Sequence, residues 1–153
     1  MSASAPTEVK TLALDSSAVL RWVLQEQRWP VVERLVKSDL VDLVLPGPVL
    51  TEVINRAQAK GNVSTPNELQ LAISAAGMRV EPPTAVDLRA AGELLITSRA
   101  NIEHRGGKDH SLSLGDSLVL AVAGRLGCPV VTSDRHWSWL AERDLLPIQV
   151  HQI

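Results

Sequence analysis

The sequence has no tyrosine and no phenylalanine, and only four tryptophans supply aromatic rings. Stacking on nucleobases would therefore have to use Trp22, Trp29, Trp137 or Trp139. The single cysteine, Cys128, excludes a disulfide framework within the chain and suits a reducing compartment. It precedes Pro129 at the start of an apolar run, where an inert core thiol is expected. No stretch approaches the roughly 18 apolar residues of a membrane span. The opening MSASAPTEVK has neither the charged lead nor the apolar segment of a signal peptide. The expectation is a cytoplasmic protein without a membrane partner. Net charge is only −2, so bulk electrostatics neither recruits nor repels nucleic acid, and any such contact must come from local arginine clusters. Zinc-type Cys/His spacings, internal repeats and heptads are also missing.

What the chain does have is apolar residues in short, regularly spaced runs. At 153 residues and 45% hydrophobic it is long enough for one compact core and too short for two. Residues 1–9 read as a flexible tail and 10–153 as a single domain. Strands are expected at KTLALD (10–15), VDLVLP (41–46), MRVEPP, 129–133 and PIQVH (147–151). Helices are expected at SSAVLRWVLQEQ, from Pro30 over PVVERLVKS, over 49–61, after the Thr65 cap, over 84–100, over 116–126 and over 135–143. One long polar loop, 101–115, separates the last pair of strands and their helices from the rest. Apolar strands alternating with helices predict an α/β protein, with a parallel sheet of about five strands in a three-layer α/β/α arrangement and helices on both faces.

Four carboxylates fall at telling places on that plan. Asp15 and Asp134 directly follow strands, Glu52 lies about one turn into the helix after the second strand, and Asp116 heads the helix before the fourth. Singly, each has a simple explanation. An aspartate at a helix start caps free N–H groups, and Glu52 precedes Arg56 by four residues, the favourable order for a surface ion pair. On an open α/β sheet, however, the carboxyl ends of the strands form the crevice in which ligands bind. Four acids gathered there without counter-charge could not all stay ionised. A divalent cation is the simplest remedy, and oxygen-only ligands point to Mg²⁺, with Mn²⁺ as a substitute.

The segments LALDSSAVLRWVL, LPGPVLTEVINRA, SLGDSLVLAVAGRLG and CPVVTSDRHW resemble, in order and spacing, the acidic motifs of PIN domains, and among them VapC-type toxins of bacterial toxin–antitoxin pairs. The resemblance spans about 10–150, and its third and fourth motifs in tandem are the more specific part. It implies a PIN-like fold in which Asp15, Glu52, Asp116 and Asp134 are the catalytic, metal-binding positions. Ser16, Ser17 and Ser133 fall at supporting hydroxyl positions. It also implies a metal-dependent endoribonuclease acting on RNA, a cognate antitoxin partner and a homodimer. Arg21, Arg56, Arg105, Lys108 and Arg135 lie near the motifs and are the candidate RNA-binding cations, each also explicable as a solvated surface charge. The long HRGGKDHSLS loop departs from the family pattern.

Two other readings stand beside this one: a PIN ribonuclease of RNA processing without an antitoxin, and a non-catalytic RNA-binding module. A signalling receiver fails on the residues. Asp15 is followed by Ser-Ser rather than by a second acid, and the third strand ends in VEPP, without a phosphoacceptor.

Overall fold

The computed structural model describes residues 3–153. Met1 and Ser2, the first two residues of the expected tail, lie outside the described residues, and 3–9 form neither helix nor strand. Five parallel strands make the central sheet: β1 (Lys10–Leu14), β2 (Val41–Pro46), β3 (Arg79–Glu81), β6 (Val130–Thr132) and β7 (Val150–Gln152), in the order β3-β2-β1-β6-β7. Among the described residues, seven helices connect and cover them: α1 (Ser16–Leu24), α2 (Trp29–Val36), α3 (Gly47–Ala59), α4 (Pro66–Ala75), α5 (Ala85–Ala100), α6 (Leu114–Leu126) and α7 (Arg135–Glu142). The fold is the expected α/β arrangement, a parallel five-stranded sheet connected by helices.

The inner strands are continuous apolar runs because both faces of a parallel sheet are covered. Ala13, Leu14, Leu43, Val44, Leu45, Val130 and Val131 are all buried, and α1, α3 and α6 lay Val19, Val53 and Leu120 against them. Each such aliphatic side chain contributes roughly 1.5–3 kcal/mol by leaving water. Trp137 and Leu140, both buried, anchor the short α7.

The strand order sets the position of the site. From β1 the chain winds outward through β2 and β3, then returns to the opposite side of β1 with β6 and β7. Strand order reverses between β1 and β6, and ligands of open α/β sheets bind at such a switch point. Asp15 leaves the end of β1 and Asp134 follows β6.

The structure departs from the expected plan in the 101–115 loop. Glu103–Arg105 (β4) and Lys108–His110 (β5) pair as an antiparallel hairpin. Its tip is Gly106-Gly107, with φ of 62° and 73°, the left-handed pair that a tight two-residue hairpin turn requires. Glu-His-Arg and Lys-Asp-His carry no apolar alternation, so periodicity gave no strand there; the Gly-Gly pair was the available signal. The last strand is also shorter than 147–151, beginning at Val150.

Candidate active site

Asp15 occupies the N-cap position of α1, yet its side chain makes no capping bond. Its carboxylate turns instead into the sheet, where Oδ2 accepts from Thr132 Oγ1 at 2.8 Å and from Ser17 Oγ at 3.0 Å. Each hydroxyl in turn accepts a backbone amide from the β6–α7 turn: Asp134 N–H to Thr132 Oγ1 at 3.0 Å, and Ser133 N–H to Ser17 Oγ at 3.0 Å. Asp15 is thereby tied to the turn that presents Asp134. The residue is 6% exposed and burial raises its pKa from 3.8 to about 6. The two hydroxyl bonds oppose that rise and the nearby Asp116 charge adds to it. A buried carboxylate held by neutral hydroxyls, against other carboxylates, is short of counter-charge.

The remaining three acids gather around Asp116. Its pKa is raised mainly by burial; bonds from Ser113 counter this, while the charges of Asp134 and Glu52 push it further up. Asp116 lies in the first turn of α6, where it forms a reciprocal cap with Ser113: Ser113 N–H donates to Asp116 Oδ2 at 3.0 Å and Asp116 N–H to Ser113 Oγ at 3.1 Å. Glu52 rises from α3 and accepts from Ser16 Oγ at 2.7 Å, turning to that hydroxyl rather than to Arg56. Asp134 caps α7, its Oδ1 accepting from His136 N–H at 2.9 Å. The capping explanation thus holds for Asp116 and Asp134 and fails for Asp15, while the ion-pair explanation fails for Glu52.

Gly115 shows how closely two of these segments approach. A Cβ built there would stand 2.5 Å from Glu52 Oε1, so α6 meets the Glu52 carboxylate only because position 115 has no side chain. Gly115→Ala should displace that carboxylate and lower the activity proposed below by roughly 10–100-fold, the usual penalty for disturbing the support of a ligand. Thermal stability should change by less than about 1 kcal/mol, because alanine also favours the helix. Steady-state kinetics beside a melting curve checks the separation.

Among the described residues no group of three or more His, Cys, Asp or Glu side chains is arranged to hold a metal ion. Asp116, Asp134 and Glu52 each direct an oxygen to a protein donor. The donor set nevertheless suits a hard divalent cation, being oxygen-only, four-fold acidic and mutually repulsive, with side-chain rotation needed to converge.

Ser16 and Ser17 bond the acids through their hydroxyls, whereas Ser133 enters the network through its amide. The hydroxyl beside Asp134 belongs to Thr132, which was hidden in the sequence as one more residue of an apolar strand. Arg21 and Arg56 flank a cavity that Ser17 and Ser133 border. Arg135 is exposed, Lys108 is exposed on the hairpin, and Arg105 pairs with Glu103 at 3.3 Å. Glu103 also meets His136 Nδ1 at 2.9 Å, both residues buried, which clamps the hairpin onto α7. That long-range pair had no sequence signal. Burial raises the Cys128 thiol pKa, as befits a core cysteine.

The sequence matches the PIN domain over residues 12–142, a span that includes Asp15, Glu52, Asp116 and Asp134; the chain belongs to that family. No curated protein sequence gives a significant match. Among solved structures, the chain is similar to Mycobacterium tuberculosis VapC20, described as a sarcin-ricin loop cleaving toxin, with 19% identity, a TM-score of 0.65 and coverage of 84% of this chain and 93% of that one. It is also similar to VapBC2 of Rickettsia felis bound to a promoter DNA fragment, with 16% identity, a TM-score of 0.62 and coverage of 94% and 98%. FitAcB of Neisseria gonorrhoeae gives 15%, 0.62 and coverage of 92% and 96%. At these identities the likeness is one of fold.

Proposed function

We infer that the protein is a divalent-metal-dependent endoribonuclease, the toxin of a toxin–antitoxin pair. The observation that carries this reading is Asp15: a buried carboxylate bonded by the Thr132 and Ser17 hydroxyls and the Ser16 amide, its pKa near 6 and pushed up by the charge of Asp116, which Asp134 and Glu52 crowd in turn, at the ligand-binding end of the sheet. Such a cluster has a physical purpose if a cation completes it. Asp15, Glu52, Asp116 and Asp134 would hold Mg²⁺, or Mn²⁺ in its place. When bound, that ion would supply a water of lowered pKa and positive charge against the phosphoryl oxygens. The protein's own part is positional. Thr132 and Ser17 fix Asp15, Ser16 orients Glu52 and the Ser113 cap restrains Asp116. RNA is the substrate class implied by the VapC-like motifs, and a homodimer is their expected assembly.

An antitoxin partner is supported by the fold likeness to VapBC and FitAcB assemblies. It is also supported by a cavity of about 370 Å³ between α1, α2 and α4, lined by Trp22, Trp29 and Leu69. The first helix pair thus presents tryptophan surface suited to a partner's apolar side chains. Among the described residues no helix is long and apolar enough to cross a membrane.

The test is cleavage of RNA with and without Mg²⁺, using Asp116→Asn as control. Wild-type protein should cut RNA only with the metal, leaving 5′-phosphate ends, and the variant should lose at least about a hundredfold in rate. Equal cleavage by both proteins in a chelator would remove the metal mechanism.

A further inference from the structure

Beside the acid cluster lies a cavity of about 320 Å³ between α1 and α3, with walls of the opposite charge. Ser17 and Ser133 form its inner border, and Arg21, Arg56 and Lys60 line it together with one carboxylate, Glu26. Ser17 belongs to both places, since its hydroxyl donates to Asp15 while its residue faces the cavity. We propose that this cleft is a phosphate subsite, which holds the backbone phosphodiester next to the one lying over the acids. This rests on the nuclease reading above and adds to it the cations that seat the strand.

Four carboxylates at the switch point repel a polyanion at a distance, so affinity for a nucleic acid must come from a neighbouring patch. Phosphate contacts of this kind set register and position without reading bases. Three cations against one carboxylate make the cleft net positive. Their side chains are already partly placed: Arg21 donates to the Gln27 carbonyl at 2.6 Å, and Lys60 pairs with Glu26 at 3.1 Å. Arg56, exposed on α3, joins none of the ion pairs among the described residues and is therefore uncommitted. It lies one helical turn after Glu52, so one helix carries both an acid of the cluster and a cation of the cleft. The other candidate cations are placed differently. Arg105 is engaged by Glu103, and Lys108 and Arg135 do not line this cavity.

The experiment compares wild type, the double variant Arg56→Gln/Lys60→Gln and a control, Arg89→Gln, whose residue pairs with Glu93 on α5. Cleavage of a single-stranded RNA oligonucleotide is measured with Mg²⁺ across a range of salt, and binding of the same oligonucleotide is measured by fluorescence anisotropy in chelator. The double variant should raise KM about tenfold at unchanged kcat. It should also flatten the slope of log binding constant against log salt by about 0.7, the value for one phosphate contact with a single strand. Arg89→Gln should match wild type in both. Unchanged KM and slope in the double variant, with wild type cleaving normally, would overturn the subsite while leaving the nuclease intact. Were wild type not to cleave at all, the nuclease reading would fall and the binding slope alone would decide the subsite.

Discussion

Asp15→Asn should make the metal-free protein more stable at pH 7.5 and abolish its catalysis. The carboxyl pKa stands near 6 in the folded protein against 3.8 for the ordinary group. A difference of about two units corresponds to roughly 3 kcal/mol of strain once the group is ionised. The sign follows from linkage. A raised pKa means that folding favours the protonated form, so the stabilisation is fully present below pH 3.8 and is lost as pH climbs through about 6. Asparagine keeps an oxygen for Thr132 and Ser17 and carries no charge. Allowing for imperfect accommodation of its amide, a gain of about 2 kcal/mol at pH 7.5 is expected, or roughly 4–8 °C in melting temperature for a chain of this size. Near pH 4 the gain should vanish. Added Mg²⁺ should raise the melting temperature of wild type by mass action and leave the variant unmoved. Cleavage should fall by at least about a hundredfold. A variant that melts lower than wild type at both pH values would show that Asp15 is an ordinary structural acid.

How much of this was legible beforehand depended on whether the information was local. The strand 41–46 coincides with β2, and α5 begins one residue after the expected 84, because apolar runs, Pro46 and the Thr84 cap all act over a few residues. The Thr65 cap reads equally well, its hydroxyl accepting from Glu68 N–H at 3.2 Å. Asp15 and Asp134 could be placed beside strand ends, and Glu52 and Asp116 early in helices, because those strands and helices are encoded locally. Their partners could not. Thr132 lies 117 residues from Asp15, and Gly115 approaches Glu52 across two helices. Only the assembled fold brings Thr132 Oγ1 to 2.8 Å from Asp15 and sets Gly115 against Glu52. The hairpin at 103–110 escaped for a related reason. Its strands are polar, and the Glu103–His136 pair that holds it down joins residues 33 apart. Caps predicted from sequence were also partly misassigned: Asp15 sits where a cap belongs and spends its carboxylate elsewhere.

A second buried carboxylate gives the opposite result and so tests the first. Asp87 is 1% exposed, but it forms a reciprocal cap with Thr84 and accepts from Arg125 Nε at 2.9 and 3.1 Å. Burial alone would push its pKa up; the Thr84 bonds and the guanidinium outweigh that and hold it below the usual carboxylate range. Here folding favours the ionised form, so the stabilisation is present above pH 3.8 and is lost as pH falls through the lowered value. Arg125→Ala should therefore destabilise the protein at pH 7, since Asp87 keeps its buried charge and loses the guanidinium that matches it. Melting should drop by several degrees, and the deficit should shrink as pH approaches 3. Adding Asp87→Asn should recover part of the loss, because the orphaned charge is gone. Arg125 closes α6 nine residues from Asp116, about 13 Å along the helix axis, so kcat should stay within about twofold of wild type well below the melting temperature. Two aspartates of like burial would then answer to neutralisation with opposite signs. The one matched by a guanidinium supports the fold, and the one left among other acids strains it, a cost that makes sense where a cation is to be received.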